Sequence, residues 1–113
     1  SANGALRYGA WRIDFARHAA QPIDDPDAGS LSDPDATVRL SPREIAILKL
    51  FAARPGEVIS RATFLEEAWG LPGNLETRTV DNFIRRLRQH FEPDPASPRH
   101  ILSVRGVGYR FEP

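Results

Sequence analysis

Residues 77–91 read Thr-Arg-Thr-Val-Asp-Asn-Phe-Ile-Arg-Arg-Leu-Arg-Gln-His-Phe, and their spacing decides the fold. At about 100° per residue, Val80, Ile84, Leu87 and Phe91 share one stripe of a helix. Arg78, Asn82, Arg85 and Gln89 fall nearly opposite, with Arg86 and Arg88 on the shoulders. One face is thus a core anchor. The other carries guanidinium and amide groups, which pair with phosphates and with base edges in a DNA major groove. An isolated Arg-rich helix with a merely solvated polar face would show the same pattern, so the neighbouring sequence has to decide.

Upstream, two further helices are announced by their caps. In Ser41-Pro-Arg-Glu44 the serine hydroxyl suits the amide of Glu44, Pro42 suits the first helical position, and Glu44 reaches back to the Ser41 amide. Ile45, Leu48, Phe51 and Ala52 form the buried side of this helix, and Pro55-Gly56 stops it. Val58-Ile59 reads as a short extended piece. Ser60 then caps a second helix with Phe64, Leu65, Ala68 and Trp69 inward and Gly70 at its end. Gly70-Leu-Pro-Gly-Asn74 is a turn-rich connection to the third helix.

Further out the pattern switches to alternation. Leu6-Arg-Tyr and Ala10-Trp-Arg-Ile-Asp-Phe15 around Gly9 predict two antiparallel strands, and Thr37-Val-Arg-Leu40 another. Residues 20–36, rich in Asp, Pro, Gly and Ser, read as a loop. After Pro93, Pro95 and Pro98, two apolar runs within 100–112 flank Arg105-Gly-Val-Gly108, a hairpin whose glycines are expected to supply positive φ. Helix–turn–helix followed by a β-hairpin is the winged-helix layout, in which the third helix lies in the major groove and the hairpin reaches a flanking backbone or minor groove. The expected fold is α+β: a single winged helix-turn-helix domain over 1–113, with N-terminal antiparallel strands in 1–40, a three-helix core in 41–91 and a C-terminal β-hairpin wing in 100–112.

Composition sets the outer limits. The 113 residues suffice for one modest core. No run is long and apolar enough for a membrane span, and no leader peptide is visible. Cysteine is absent, which excludes disulfides and thiolate metal sites and fits a reducing cytosol. Methionine is absent too, so the chain reads as a piece of something longer. Net charge is zero, yet from Arg78 to Arg110 seven arginines face only Asp81, Glu92 and Asp94. Between Ala19 and Thr37, five aspartates (24, 25, 27, 33 and 35) have no basic companion. The field of one face, not the average, steers a polyanion.

Five motifs in order now support a specific resemblance. They are Leu40-Ser-Pro-Arg-Glu-Ile-Ala-Ile-Leu48, Arg54-Pro-Gly-Glu-Val-Ile-Ser-Arg61, Ala68-Trp-Gly70, Arg78-Thr-Val-Asp-Asn-Phe-Ile-Arg-Arg-Leu-Arg88 and Val104-Arg-Gly-Val-Gly-Tyr-Arg-Phe111. Together they resemble the DNA-binding effector domain of OmpR/PhoB-type bacterial response regulators. The resemblance implies a four-stranded N-terminal sheet, tandem binding to direct-repeat sites in double-stranded DNA, and a phosphate-accepting receiver domain elsewhere in the parent protein. By position it implies DNA contacts from Arg78, Thr79, Asn82, Arg85, Arg86 and Arg88. It adds Trp69 at the backbone and Ser103, Arg105, Gly106 and Tyr109 on the hairpin. The loop Leu71, Pro72, Gly73, Asn74, Leu75 and Glu76 corresponds to a segment that can touch RNA polymerase. The acidic 20–36 loop is longer than the family's usual connection.

Individual residues carry competing readings. Arg78 and Thr79 at the helix start suit a phosphate, because free amides point outward there. Asn82 suits adenine and Arg85 suits guanine. For Arg78, Arg85, Arg86 and Arg88 the downstream hairpin favours DNA contact as a group over mere surface solubility. The alternative for one or more is a salt bridge with Asp81 or Glu92, and Asp81 reads as a dipole-stabilising or salt-bridging residue. Phe83 reads as packing at the helix edge. Trp69 reads as mostly core, with its indole N–H offered to a phosphate. Gly106-Val-Gly108 precedes a strand, which rules out a nucleotide loop. His18, His90 and His100 lack metal spacing, the aspartates lack calcium-loop spacing, and no nucleophile–base pair is visible. The expectation is therefore sequence-specific DNA binding for transcriptional regulation, cytoplasmic, without cofactor, metal or catalysis. A winged-helix module that docks proteins, with Trp69 and the hairpin edge as its surface, is the alternative that zero net charge keeps open.

Overall fold

In the computed structural model, residues 4–23, 37–74 and 78–112 are described. Strands β1 (Ala5–Tyr8), β2 (Trp11–Asp14), β3 (Ala19–Pro22) and β4 (Val38–Arg39) form an antiparallel sheet in that order. Register follows side-chain alternation. Tyr8 faces Trp11 and Ile13 faces Ala20 across the inward face, while Arg7 faces Arg12 and Arg12 faces Gln21 on the outward face. The β1–β2 turn passes through Gly9 at φ +59, a conformation that suits glycine. Asp14 shapes the next turn by accepting from the amides of Ala16 and Arg17.

The expected loop at 20–36 is corrected at its start, because residues 20–22 belong to β3. Ala20 is fully buried beneath the sheet and Gln21 is exposed, so the alternation is present although the composition hides it. Pro22 is tolerated as the last residue of the strand, and the next amide, Ile23, closes on Ala10 O at 2.8 Å. Residues 24–36, with all five aspartates, lie outside the described residues.

Helix α1 (Pro42–Ala53) begins with the expected reciprocal cap. The Glu44 amide donates to Ser41 Oγ at 3.2 Å, and the Ser41 amide donates to Glu44 Oε1 at 2.9 Å. Ile45, Leu48 and Phe51 are buried as the spacing predicts; Ile47 is buried as well, and Ala52 only in part. Strand β5 (Ile59–Ser60) follows. Helix α2 opens as Arg61–Thr63, capped by Ser60 Oγ accepting from Thr63 N, and widens into a π-helical segment at Phe64–Ala68. Helix α3 (Arg78–Phe91) buries Val80, Ile84, Leu87 and Phe91, the stripe read from the sequence. Each such apolar side chain contributes roughly 1.5–3 kcal/mol on burial.

Strands β6 (Ile101–Val104) and β7 (Gly108–Phe111) make the C-terminal hairpin, and β5 adds to its edge in the order β5-β7-β6. The extended piece expected at Val58-Ile59 appears as β5, but its pairing with the hairpin was not foreseen. This pairing explains a glycine that the sequence suggested was a turn residue. Gly106 does take φ +77, but Gly108 does not; a Cβ there would sit 2.0 Å from Ile59 O. Gly108 is needed so that β5 can lie against β7. Tyr8, Phe91, Phe111, Phe51 and Phe64 join the sheet, the helices and the hairpin in one aromatic cluster, with successive ring centroids 5.2–5.6 Å apart.

Candidate nucleic-acid interface

Because the apolar stripe of α3 is fully engaged, its opposite face has to point outward. Arg78, Asn82, Arg85, Arg86 and Gln89 are exposed, and Thr79 is half-buried at the helix start. Asn82 and Arg85 carry no hydrogen bond or ion pair to other described residues, so their donors are open to an external partner. Arg86 is oriented by stacking, with its guanidinium 5.3 Å from the Phe83 ring centroid.

One shoulder of α3 is tied to the hairpin and to α2. Arg88 donates to Ile101 O at 2.8 Å and 3.2 Å and to Ser103 Oγ at 2.9 Å. Its guanidinium and that of Arg61 both lie over the Tyr109 ring, at 5.5 Å and 5.2 Å. The Tyr109 hydroxyl donates to Asp81 Oδ1, which also accepts from Arg61 Nε at 2.7 Å. Burial, and next the bond to Asp81, raise the Tyr109 phenol above its ordinary range. The bond to Asp81 is the main reason the Arg61 guanidinium is held more firmly protonated.

This arrangement changes the roles expected of several residues. Tyr109 is only 5 % exposed, and the half-buried Arg88 donates to two residues of β6, Ile101 and Ser103. These bonds fasten the wing to α3, and Ser103 stays exposed beside them. Trp69 is revised as well, because its indole N–H donates to Arg43 O at 3.1 Å. Asp81 is the salt-bridging residue the sequence suggested, but its partner is Arg61 of α2, 20 residues away and beyond any helical spacing rule. Among the described residues Glu92 pairs with no arginine side chain. It accepts from the Tyr8 hydroxyl and from the amides of Arg99, His100 and Ile101.

At the wing tip, Arg105 and Gly106 are exposed and Val107 is 50 % exposed. The turn closes through Val107 N to Val104 O at 3.0 Å. In the connection after α2, Leu71 and Gly73 are half-buried and Pro72 and Asn74 are exposed, while Leu75 and Glu76 lie outside the described residues. Among the described residues no three His, Asp or Glu side chains gather where they could hold a metal ion, and no helix is long and apolar enough to cross a membrane.

The family model described as "Transcriptional regulatory protein, C terminal" matches residues 35–111. The chain is 43% identical over 94 residues to Protein PetR of Rhodobacter capsulatus, covering 79% of this chain and 40% of that protein. It is 32% identical over 110 residues to the sensory transduction protein RegX3 of Mycobacterium tuberculosis, covering 97% and 44%. The chain therefore spans 40–44% of the length of these two relatives. Among solved structures, the response regulator DrrB of Thermotoga maritima, an OmpR/PhoB homologue, matches with TM-score 0.72 at 31% identity, over 96% of this chain and 44% of that one. The RstA DNA-binding domain of Klebsiella pneumoniae, solved with the RstA box, shares the fold, with TM-score 0.71 at 24% identity and 95% coverage of both chains.

Proposed function

The chain belongs to the family of C-terminal domains of transcriptional regulatory proteins, the OmpR/PhoB-type winged-helix effectors, and from that premise we propose that it binds double-stranded DNA sequence-specifically as the output domain of a cytoplasmic two-component response regulator. The observation that carries the reading is the division of α3. Its apolar stripe is wholly buried, while Asn82 and Arg85 are exposed and have no hydrogen-bond or ion-pair partner among the described residues.

In this reading α3 enters the major groove. Arg78 and Thr79 at its start and Arg86 on its flank hold phosphates, and Asn82 and Arg85 read base edges. Arg105, beside Gly106 at the wing tip, reaches the backbone or minor groove next to the site. Arg61, Asp81, Arg88, Ser103 and Tyr109 fix the angle between helix and wing, so that both meet the duplex together. The activity is binding, with no bond made or broken. A receiver domain in the full-length protein, pairing of two copies on direct repeats and an RNA polymerase contact at 71–76 complete the proposal.

The experiment is a titration against a duplex selected from a random pool, repeated at several salt concentrations. Log K falls with log salt at about −0.9 per phosphate neutralised, so Arg78, Arg86 and Arg105 alone predict a slope of about −3. Arg85→Ala is expected to cost roughly 1–3 kcal/mol and to relax preference at one base position. A complex with no salt sensitivity, or with undiminished preference in Arg85→Ala, contradicts the proposal.

A further inference from the structure

On the other flank of α3, away from the wing, the structure builds a ladder of cations and rings. The Arg43 guanidinium lies 5.1 Å over the Trp69 indole, Trp69 meets Phe83 edge to face at 5.1 Å, and Arg86 lies 5.3 Å over Phe83. The ladder draws one residue from the first turn of α1, one from the end of α2 and two from α3. Both rings are half-buried and both guanidiniums are exposed. Neither Arg43 nor Arg86 has an ion-pair partner among the described residues.

A guanidinium stacked by its face on an aromatic ring keeps the N–H donors of its edge for another partner, and stacking restrains the long side chain before that partner arrives. Phosphate is the partner that such an edge fits. The indole N–H of Trp69 cannot serve the same purpose, since it is spent on Arg43 O. Arg43 is held twice by Trp69, through its carbonyl and through its side chain. On the helical wheel Phe83 and Arg86 lie on the flank opposite Asp81 and Arg88, which face the wing.

We propose that Arg43 is a phosphate-contacting residue and that, with Arg86, it clamps the DNA strand bordering the groove on the side away from the wing. The outward face of α3 is then bracketed by Arg105 on one side and the Arg43–Arg86 pair on the other. Each step of the ladder is just over 5 Å, so its two ends span no more than a few phosphates of one strand, whose axial rise is about 3.4 Å per nucleotide. The inference rests on the DNA-binding reading above.

The test measures the salt slope of binding to the selected duplex and to a scrambled one. Wild type is compared with Arg43→Gln, Arg43→Lys and, as a control on the same helix, Lys49→Ala. Arg43→Gln is expected to reduce the magnitude of the slope by about 1 and to weaken both duplexes by the same factor. Arg43→Lys is expected to restore the slope because the charge returns, and Lys49→Ala to change neither quantity. Circular dichroism confirms that each variant is folded. If wild type binds with a steep slope and Arg43→Gln matches it, the clamp is refuted and the DNA reading stands. If wild type itself shows no salt-sensitive binding, both fall.

Discussion

Glu92 offers the most demanding test of how the wing is fixed to the recognition helix. It follows α3 directly, is 6 % exposed, and accepts four hydrogen bonds: from the Tyr8 hydroxyl of β1 and from the amides of Arg99, His100 and Ile101 leading into β6. Glu92→Gln keeps the shape but leaves one accepting oxygen and one donating amide. With the oxygen turned to Arg99 and His100, the amide faces Ile101 N–H, a donor against a donor at a fully buried residue. The Tyr8 hydroxyl can rotate to accept, and the Ile101 amide cannot. One orphaned donor together with the loss of charge assistance to the other bonds predicts a cost of about 2–4 kcal/mol at pH 7.

The same carboxylate sets a pH signature. Burial opposes its charge most strongly of the single influences, but the Tyr8 hydroxyl and the three amides together outweigh burial and hold it below the ordinary Glu value of 4.5. The unfolded chain therefore takes up this proton at a higher pH than the folded one. The stabilisation is present above the unfolded value and is lost as pH falls through the folded one. Urea unfolding followed by tryptophan fluorescence, from pH 7 down to pH 3, is expected to show the gap between wild type and Glu92→Gln shrinking below about pH 4.5. A gap under about 1 kcal/mol at pH 7, or one that is constant across the range, refutes the reasoning.

Other perturbations separate support from contact. Gly108→Ala places a methyl 2.0 Å from Ile59 O, so β5 must leave β7; a loss of about 2 kcal/mol or more in urea unfolding is expected, and a neutral result contradicts the close approach. Leu87→Ala empties a fully buried position and should cost about 2–5 kcal/mol, measured by thermal unfolding. Tyr109→Phe removes the donor to Asp81 while keeping the ring between Arg61 and Arg88. It should cost about 1 kcal/mol of stability and leave the affinity for DNA unchanged. An affinity weakened by the same factor for the selected and a scrambled duplex would instead make Tyr109 a phosphate contact.

What could be read from the sequence was what repeats locally. The stripe Val80, Ile84, Leu87, Phe91 and the Ser41–Glu44 cap are each set within one helix, and both appear in the structure as expected. Pairings between distant segments were not legible. The β5–β7 ladder, the Arg61–Asp81 ion pair and the burial of Glu92 each join segments that no periodicity links. At β3, Pro22 and the aspartates beyond it masked the short alternation of Ala20 and Gln21. Arg88, Ser103 and Tyr109 are residue types suited to DNA, but a position on the shoulder of a helix or on a hairpin strand does not reveal that Arg88 bonds to Ser103 and stacks on Tyr109.

Amide and side-chain NMR shifts on adding the selected duplex test the central claim most directly. The account predicts the largest changes at Asn82 and Arg85 on α3 and at Arg105 and Gly106 on the wing, with the N-terminal sheet little affected. Changes confined to that sheet and to residues 71–74, with Arg85 and Arg105 unmoved, would contradict it and identify a surface that docks protein.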